Sequence, residues 1–257
     1  MSTKPISARR ILIGAASFAD ANAAFRLVEG LTKELATELG GLLVEETILT
    51  EIADLPKQRV ITSSGSMIVA PSRKQIKKLA ERDAKAFRET LSKLADDRRW
   101  SFERRRGELV SGLCEAAKGW DLLLFGYRPA HRLTGRVVLV VPDMESAPDA
   151  AHLAGELARA LGTGSVALTM DPAGLESGAM ELKQERFGSE QALLERIARS
   201  HASVVVMDLS VGPLRSFDQL RQLLASARCP VVVLGAGQGE PPIEPSPQTT
   251  SEPEVQA

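Results

Sequence analysis

The sequence predicts an α/β protein built from two successive open, mostly parallel sheets with helices on both faces. Three observations predict it. Short apolar runs alternate with stretches of helical periodicity from the start of the chain to residue 236. The alternation restarts at Gly135–Asp143, a run so close behind the preceding strand that it cannot be its parallel neighbour. Two distant stretches then echo each other, which points to two copies of one unit.

Ile11-Leu12-Ile13-Gly14 opens the first unit as a buried strand. Residues 19–39 follow with helical spacing through Phe25, Val28, Leu31, Leu35 and Leu39, and Gly40-Gly41 is read as the stop. Leu42-Leu43-Val44 is the next strand, giving β-α-β within a short span. Val60–Thr62 and Met67–Val69 flank Ser63-Ser64-Gly65-Ser66 and fit a small hairpin or an irregular excursion. Ser72 is an N-cap for a long helix through Ile76, Leu79, Phe87, Leu91 and Leu94, rich in Lys and Arg elsewhere. That helix packs on a sheet or binds a partner. Trp100–Arg106 is a strand, 108–119 a short helix, and Asp121–Gly126 a further buried strand.

The second unit starts at Gly135–Asp143. Helix 146–162, with Leu153, Leu157 and Leu161 on one face, leads to strand Val166–Thr169. A loop over 171–179 precedes a strand near Met180–Phe187, helix 189–200 and strand Val204–Met207. Helix 214–227 and strand Pro230–Gly235 close it. Residues 237–257, rich in Pro, Glu, Ser, Thr and Gln, bury too little apolar surface to order, so the domains are 1–131, 132–236 and a disordered tail. The repeat is carried by Phe102–Gly107, helix and Trp120–Gly126 against Gln184–Gly188, helix and Ala202–Asp208.

Composition narrows the function. The chain of 257 residues is 44% hydrophobic and 25% charged with a net charge of −1, so no global field favours nucleic acid or an anionic membrane. Aromatic residues at 4% argue against a base-stacking surface. Cys114 and Cys229 lack metal-ligand spacing and read as buried, reduced thiols, which places the chain in the cytoplasm. Asp20 and Arg26 interrupt the N-terminal apolar run, so it is not a secretion signal, and no run is long enough to span a membrane. His152 and His201 have no ligand spacing, and no P-loop, GxGxxG, GxSxG or SGGxDS-type pyrophosphatase loop is present.

These residues resemble the universal stress protein family over roughly 9–46, 98–128 and 135–235. The most specific segment is the ending Ala227-Arg228-Cys229-Pro230-Val231-Val232-Val233. The resemblance implies an open Rossmann-like sheet of the adenine nucleotide alpha hydrolase type. In nucleotide-binding members, ATP lies at the C-terminal strand ends. An acidic residue after the first strand, a Gly-x-x-Gly turn after the fourth and a later Gly-Ser or Gly-Thr hold it.

This sequence departs from that pattern. The acidic position holds Ala16 in the first copy, and Pro142 or, with one residue of slip, Asp143 in the second. After the fourth strand stand Gly126-Tyr127-Arg128-Pro129 in the first copy and Asp208-Leu209-Ser210-Val211-Gly212-Pro213 in the second. The first copy also lacks its last helix and strand. An Asp facing phosphate oxygens is unfavourable without a metal. The reading is a tandem, non-catalytic regulatory or interaction module of a bacterial-type stress response or signalling system. It has no cofactor, contacts an unidentified protein partner rather than nucleic acid, and is arranged as an internal pseudo-dimer that could also pair as a homodimer. The alternative is an ATP- or AMP-binding regulator using Asp143, Ser210 and Gly212. Arg104, Arg105 and Arg106 are a solvated strand end or an anion or partner contact. Arg128, His131, Arg132 and Arg136 are a charged linker or a phosphate clamp.

Overall fold

The computed structural model describes residues 9–46, 59–61, 67–69, 72–127, 135–170 and 183–238. In the first half β1 (Arg9–Ala15) leads through α1 (Phe18–Leu35) to β2 (Ala36–Glu46). The pair β3 (Arg59–Ile61) and β4 (Met67–Val69) precedes α2 (Arg73–Ala95), β5 (Arg99–Gly107), α3 (Leu109–Ala116) and β6 (Leu122–Phe125). The second half runs β7 (Arg136–Val141), α4 (Pro148–Ala160), β8 (Ser165–Thr169), β9 (Lys183–Arg186) and α5 (Glu190–Arg199). It ends with β10 (Ala202–Asp208), α6 (Phe217–Ala227), β11 (Val231–Leu234) and a 3-10 turn, Ala236–Gln238.

Nine of the eleven described strands form one sheet in the order β5-β2-β1-β6-β11-β10-β7-β8-β9, where two such sheets are expected from the sequence, and β3 and β4 form a separate pair. Every neighbouring pair is parallel except β6 and β11, which meet antiparallel with Leu124 opposite Val232. The short connection from β6 to β7 forbids only that these two be parallel neighbours. The chain satisfies this by setting β7 three places away, beyond the antiparallel joint. Among the described residues no strand of the first half lies outside β6, and β11 covers that edge. Apart from β11, the strand orders 5-2-1-6 and 9-8-7-10 run alike outward from the joint.

Apolar strands buried on both faces suit a parallel sheet covered by helices. Ile13, Leu39, Leu124, Leu139 and Val206 pack under α1, α2 and α4 on one face. Leu12, Leu123, Val140, Met207 and Val233 pack under α3, α5 and α6 on the other. Contacts α1·α4 and α3·α6 cross the joint on the two faces.

Several elements differ from expectation. Helix α1 ends at Leu35, and Gly40 and Gly41 lie inside β2 rather than stopping a helix. Aromatic rings explain them: a Cβ on Gly40 would stand 2.5 Å from the Trp120 ring, and one on Gly41 2.6 Å from the Phe87 ring. Ser72 caps α2 in a full capping box with Gln75, but only Ala84, Phe87, Leu91 and Ala95 are buried, and Leu79 is 58% exposed. Leu161 falls after α4 and is exposed as well. Helices α4 and α6 begin at Pro148 and Phe217, later than the apolar spacing suggests. Val60 pairs antiparallel with Ile68, the hairpin form of the two alternatives for that region. Ala236–Gln238 is ordered against α3, since a Cβ on Gly237 would lie 2.6 Å from the Ala117 carbonyl oxygen. Residues 63–66, the loop 171–179, the linker around 131 and the remaining tail lie outside the described residues.

Candidate functional site

In open α/β sheets, ligands bind beyond the carboxyl ends of the strands. Because β6 and β11 run antiparallel, the two halves turn their carboxyl ends to opposite ends of the sheet.

At the end of β1, Ala16 leads into Ser17, the N-cap of α1. The Ser17 Oγ accepts from the Asp20 amide at 3.2 Å and donates to Asp20 Oδ2 at 2.5 Å. The Gly126 amide donates to the Gly14 carbonyl at 2.8 Å. A Cβ on Gly126 would lie 2.7 Å from the Asp20 carbonyl oxygen, so this glycine lets the first turn of α1 rest on the end of β6. A cavity of about 290 Å³ remains, lined by Ala16, Asp20, Leu109, Tyr127, Leu224 and Cys229 among others. Its lining is mainly apolar, with one carboxylate and no Lys or Arg among the described residues. Burial pushes the Cys229 thiol up to about 12, so it stands there as a neutral thiol.

At the opposite end, Asp143 follows β7. Its Oδ1 accepts from the Glu145 and Ser146 amides at 2.9 and 2.7 Å, and Oδ2 accepts from the Ser146 hydroxyl. Those bonds, the Ser146 hydroxyl first, hold its carboxyl below the usual range. At the end of β10, Asp208 Oδ1 accepts from the Ser210 amide at 2.9 Å and from its hydroxyl at 2.5 Å. The Gly212 amide donates to the Asp208 carbonyl at 2.7 Å. Arg215 donates to the carbonyls of Gly212 and Val211 at 3.1 and 3.4 Å. Gly235, at φ +68°, lies beneath this turn, where a Cβ would stand 2.8 Å from Asp208 Oδ1.

The structure thus gathers Ser210 and Gly212 into one turn and sets Asp143 at the same end of the adjacent strand. Each of the three spends its polar groups within its own turn, Asp143 on Glu145 and Ser146, Ser210 on the Asp208 carboxylate and Gly212 on the Asp208 carbonyl. Arg136 starts β7 and therefore lies at the other end of that strand from Asp143. Its amide donates to the His201 carbonyl at 2.9 Å. Arg128, His131 and Arg132 lie outside the described residues.

The run at the end of β5 divides between the faces of the sheet. Arg104 Nε donates to Glu45 at 2.9 Å, and Arg106 pairs with the same carboxylate at 3.7 Å. Arg105 pairs with Glu103 at 3.1 Å and Glu115 at 3.5 Å.

Two features escaped the sequence reading. One is the bidentate pair of Arg221 with Glu108, at 3.2 and 2.9 Å, which ties α6 to the start of α3. Nothing in a sequence separation of 113 residues signals it. The other is a groove of about 770 Å³ between α2 and β5, floored by Trp100 and Phe102. Its signal was available in the alternation of Trp100, Phe102, Arg104 and Arg106 along one face of the strand.

No family model matches the sequence, and no curated protein matches it significantly. Among solved structures, a universal stress protein from Archaeoglobus fulgidus superposes with a TM-score of 0.52 at 11% identity. The match covers 88% of this chain and 96% of that one. A functionally unknown protein from Pseudomonas aeruginosa gives a TM-score of 0.47 at 16% identity, over 89% of this chain and 92% of that one. With the Archaeoglobus protein the match extends over both halves of this chain. The chain has the universal stress protein fold.

Proposed function

We propose that this chain is a tandem pair of universal-stress-type units, divided near residue 131, that works in stress response or signalling through protein contacts and not by nucleotide turnover. The observation that carries this reading is the state of the polar groups at the two strand ends. In the first half the acid expected after β1 is Ala16, and the cavity beside it offers a phosphate one carboxylate and an apolar wall. In the second half the Asp143 carboxylate and the Ser210 hydroxyl are already bonded within their own turns. Asp208 adds a negative charge beside any anion. The two thiols, raised to about 12 by burial, are not nucleophiles at neutral pH, and unpaired buried cysteines suit a reducing cytoplasm. Among the described residues no helix is long and apolar enough to cross a membrane.

The second reading is a nucleotide-binding regulator. It draws on Asp143 and Ser210 standing at the same end of neighbouring strands. Calorimetric titration with ATP and with AMP decides between the two. The interaction module gives no binding heat at millimolar nucleotide. Saturable heat that disappears in Ser210→Ala establishes the regulator instead.

A further inference from the structure

We propose that the groove between α2 and β5 docks an acidic, extended segment of a partner protein, which joins the sheet as a strand beside β5. The inference rests on the reading that the chain works through protein contacts, and it names the chemistry of the partner. Strand β5 ends the sheet, and no strand pairs with its outer edge among the described residues. It is nine residues long, so a row of backbone donors and acceptors is left open along it. Beside it lies the groove of about 770 Å³. Trp100 and Phe102 form its floor as partly buried rings, and Phe102 packs 5.3 Å from Phe87.

Four cations border that floor: Lys85, Arg88, Lys93 and Arg104. Arg104 is held by Glu45 and Lys85 lies 3.9 Å from Glu89. Arg88 stands 6.0 Å over the Trp100 ring, and neither it nor Lys93 has a carboxylate partner among the described residues. Charge is concentrated around the groove. Residues 73–107 hold thirteen Lys and Arg against six Asp and Glu, whereas the whole chain holds 32 against 33. An acidic strand meets this field favourably, and the field raises its encounter rate.

Two other occupants fit less well. A second copy of β5, antiparallel about Glu103, would set Glu103 against Glu103 and Arg105 against Ser101. That gains no opposite-charge pair and places like charges directly opposite at its centre. Single-stranded nucleic acid finds a ring to stack on in Trp100, but it has no peptide groups for the open edge.

The test uses the full chain and three fluorescein-labelled probes. They are a peptide of about twelve alternating Glu and Val residues, its Lys and Val counterpart, and an oligothymidylate of similar length. Anisotropy titration is expected to show the acidic peptide binding, weaker at high salt, with no binding of the basic one. Arg88→Glu with Lys93→Glu should weaken binding by roughly tenfold or more while the thermal transition stays in place. Arg88→Gln with Lys93→Gln gives a smaller loss and serves if the reversal disturbs folding. N-methylation of alternate peptide nitrogens should abolish binding if a strand is added. The proposal is overturned if the acidic peptide does not bind, if the charge variants or the methylated peptide bind as well as the originals, or if oligothymidylate binds more tightly. A silent acidic peptide beside a silent ATP titration removes this site and leaves the interaction reading standing. ATP heat removes that reading whatever the peptide does.

Discussion

Strands β6 and β5 both bound the first half of the sheet, and the chain treats them in opposite ways. Strand β6 is Leu122-Leu123-Leu124-Phe125, four residues at most 3% exposed. Left open, it would be an apolar edge of the kind that recruits other chains. The second half closes it with β11, whose Val231–Leu234 runs antiparallel against it. Strand β5 carries four arginines and one glutamate in nine residues and stays open. Charge on an edge strand blunts indiscriminate pairing. The difference teaches that the two halves are held together where the edge is apolar, and that the remaining edge is kept available by charge. It also explains why one sheet forms where two were expected: the apolar edge of β6 is closed by β11 from the second half.

The comparison breaks most sharply at the joint. Val233 is fully buried opposite Leu123. Val233→Asp puts an unpaired carboxylate between the halves and is expected to cost at least about 4 kcal/mol. Circular dichroism with urea denaturation should show the cooperative transition lost or strongly displaced. A variant that melts like the parent would mean that the β6–β11 pairing contributes little to folding.

Gly126 comes next in size. Its added Cβ would meet the Asp20 carbonyl oxygen at 2.7 Å, a backbone atom that moves only if α1 moves. Gly126→Ala is expected to cost about 1–3 kcal/mol and to lower the melting temperature by several degrees, at about 2–4 °C per kcal/mol for a chain this size. Gly155→Ala, with open space around its Cβ on α4, is the matched control and should be neutral or slightly stabilising.

How much of this was legible follows the range of the interactions. Local signals worked: Ser72, read as an N-cap, announced a helix start, and the Val-rich run within 135–143 announced a buried strand. Gly40-Gly41 misled because the reason for two glycines lies in Trp120 and Phe87, distant in sequence. Leu79 misled because apolar spacing says nothing about where the covering surface ends. For the site, the sequence singled out Asp143, Ser210 and Gly212. It could not show that their hydrogen bonds close within their own turns, since that depends on loop conformation. The antiparallel joint was the least legible feature, because no local pattern states which strand edge meets which.

The pair of Glu108 and Arg221 bridges the halves on the α3 and α6 face, and pH tests it. Burial alone would raise the Glu108 carboxyl. The Arg221 guanidinium and the Ser111 and Val110 amides outweigh it and bring it from 4.5 down to about 2. The folded-state value is depressed, so the stabilisation is fully present above about 4.5 and is lost as pH falls from there toward 2. The side chain is 44% exposed, and solvent screening leaves a contribution of about 1 kcal/mol. Glu108→Gln should be less stable than the parent by that amount at neutral pH. The gap should narrow on acidification, as read from paired urea titrations. A gap that holds constant down to low pH would show that the carboxylate charge plays no part.

The open edge should be the most tolerant place of all. Ser101 is exposed at the middle of β5, away from the Trp100 and Phe102 face. Ser101→Asp is expected to change stability by less than about 0.5 kcal/mol, although the same residue type at position 233 disrupts the fold. The asymmetry reverses in binding. An added negative charge that leaves the fold alone should still alter what the β5 edge attracts, so an acidic probe strand should bind Ser101→Asp more weakly than the parent. If Ser101→Asp instead destabilised the chain as Val233→Asp does, β5 would be a covered strand. The distinction between a closed apolar edge and an available charged one would then fail.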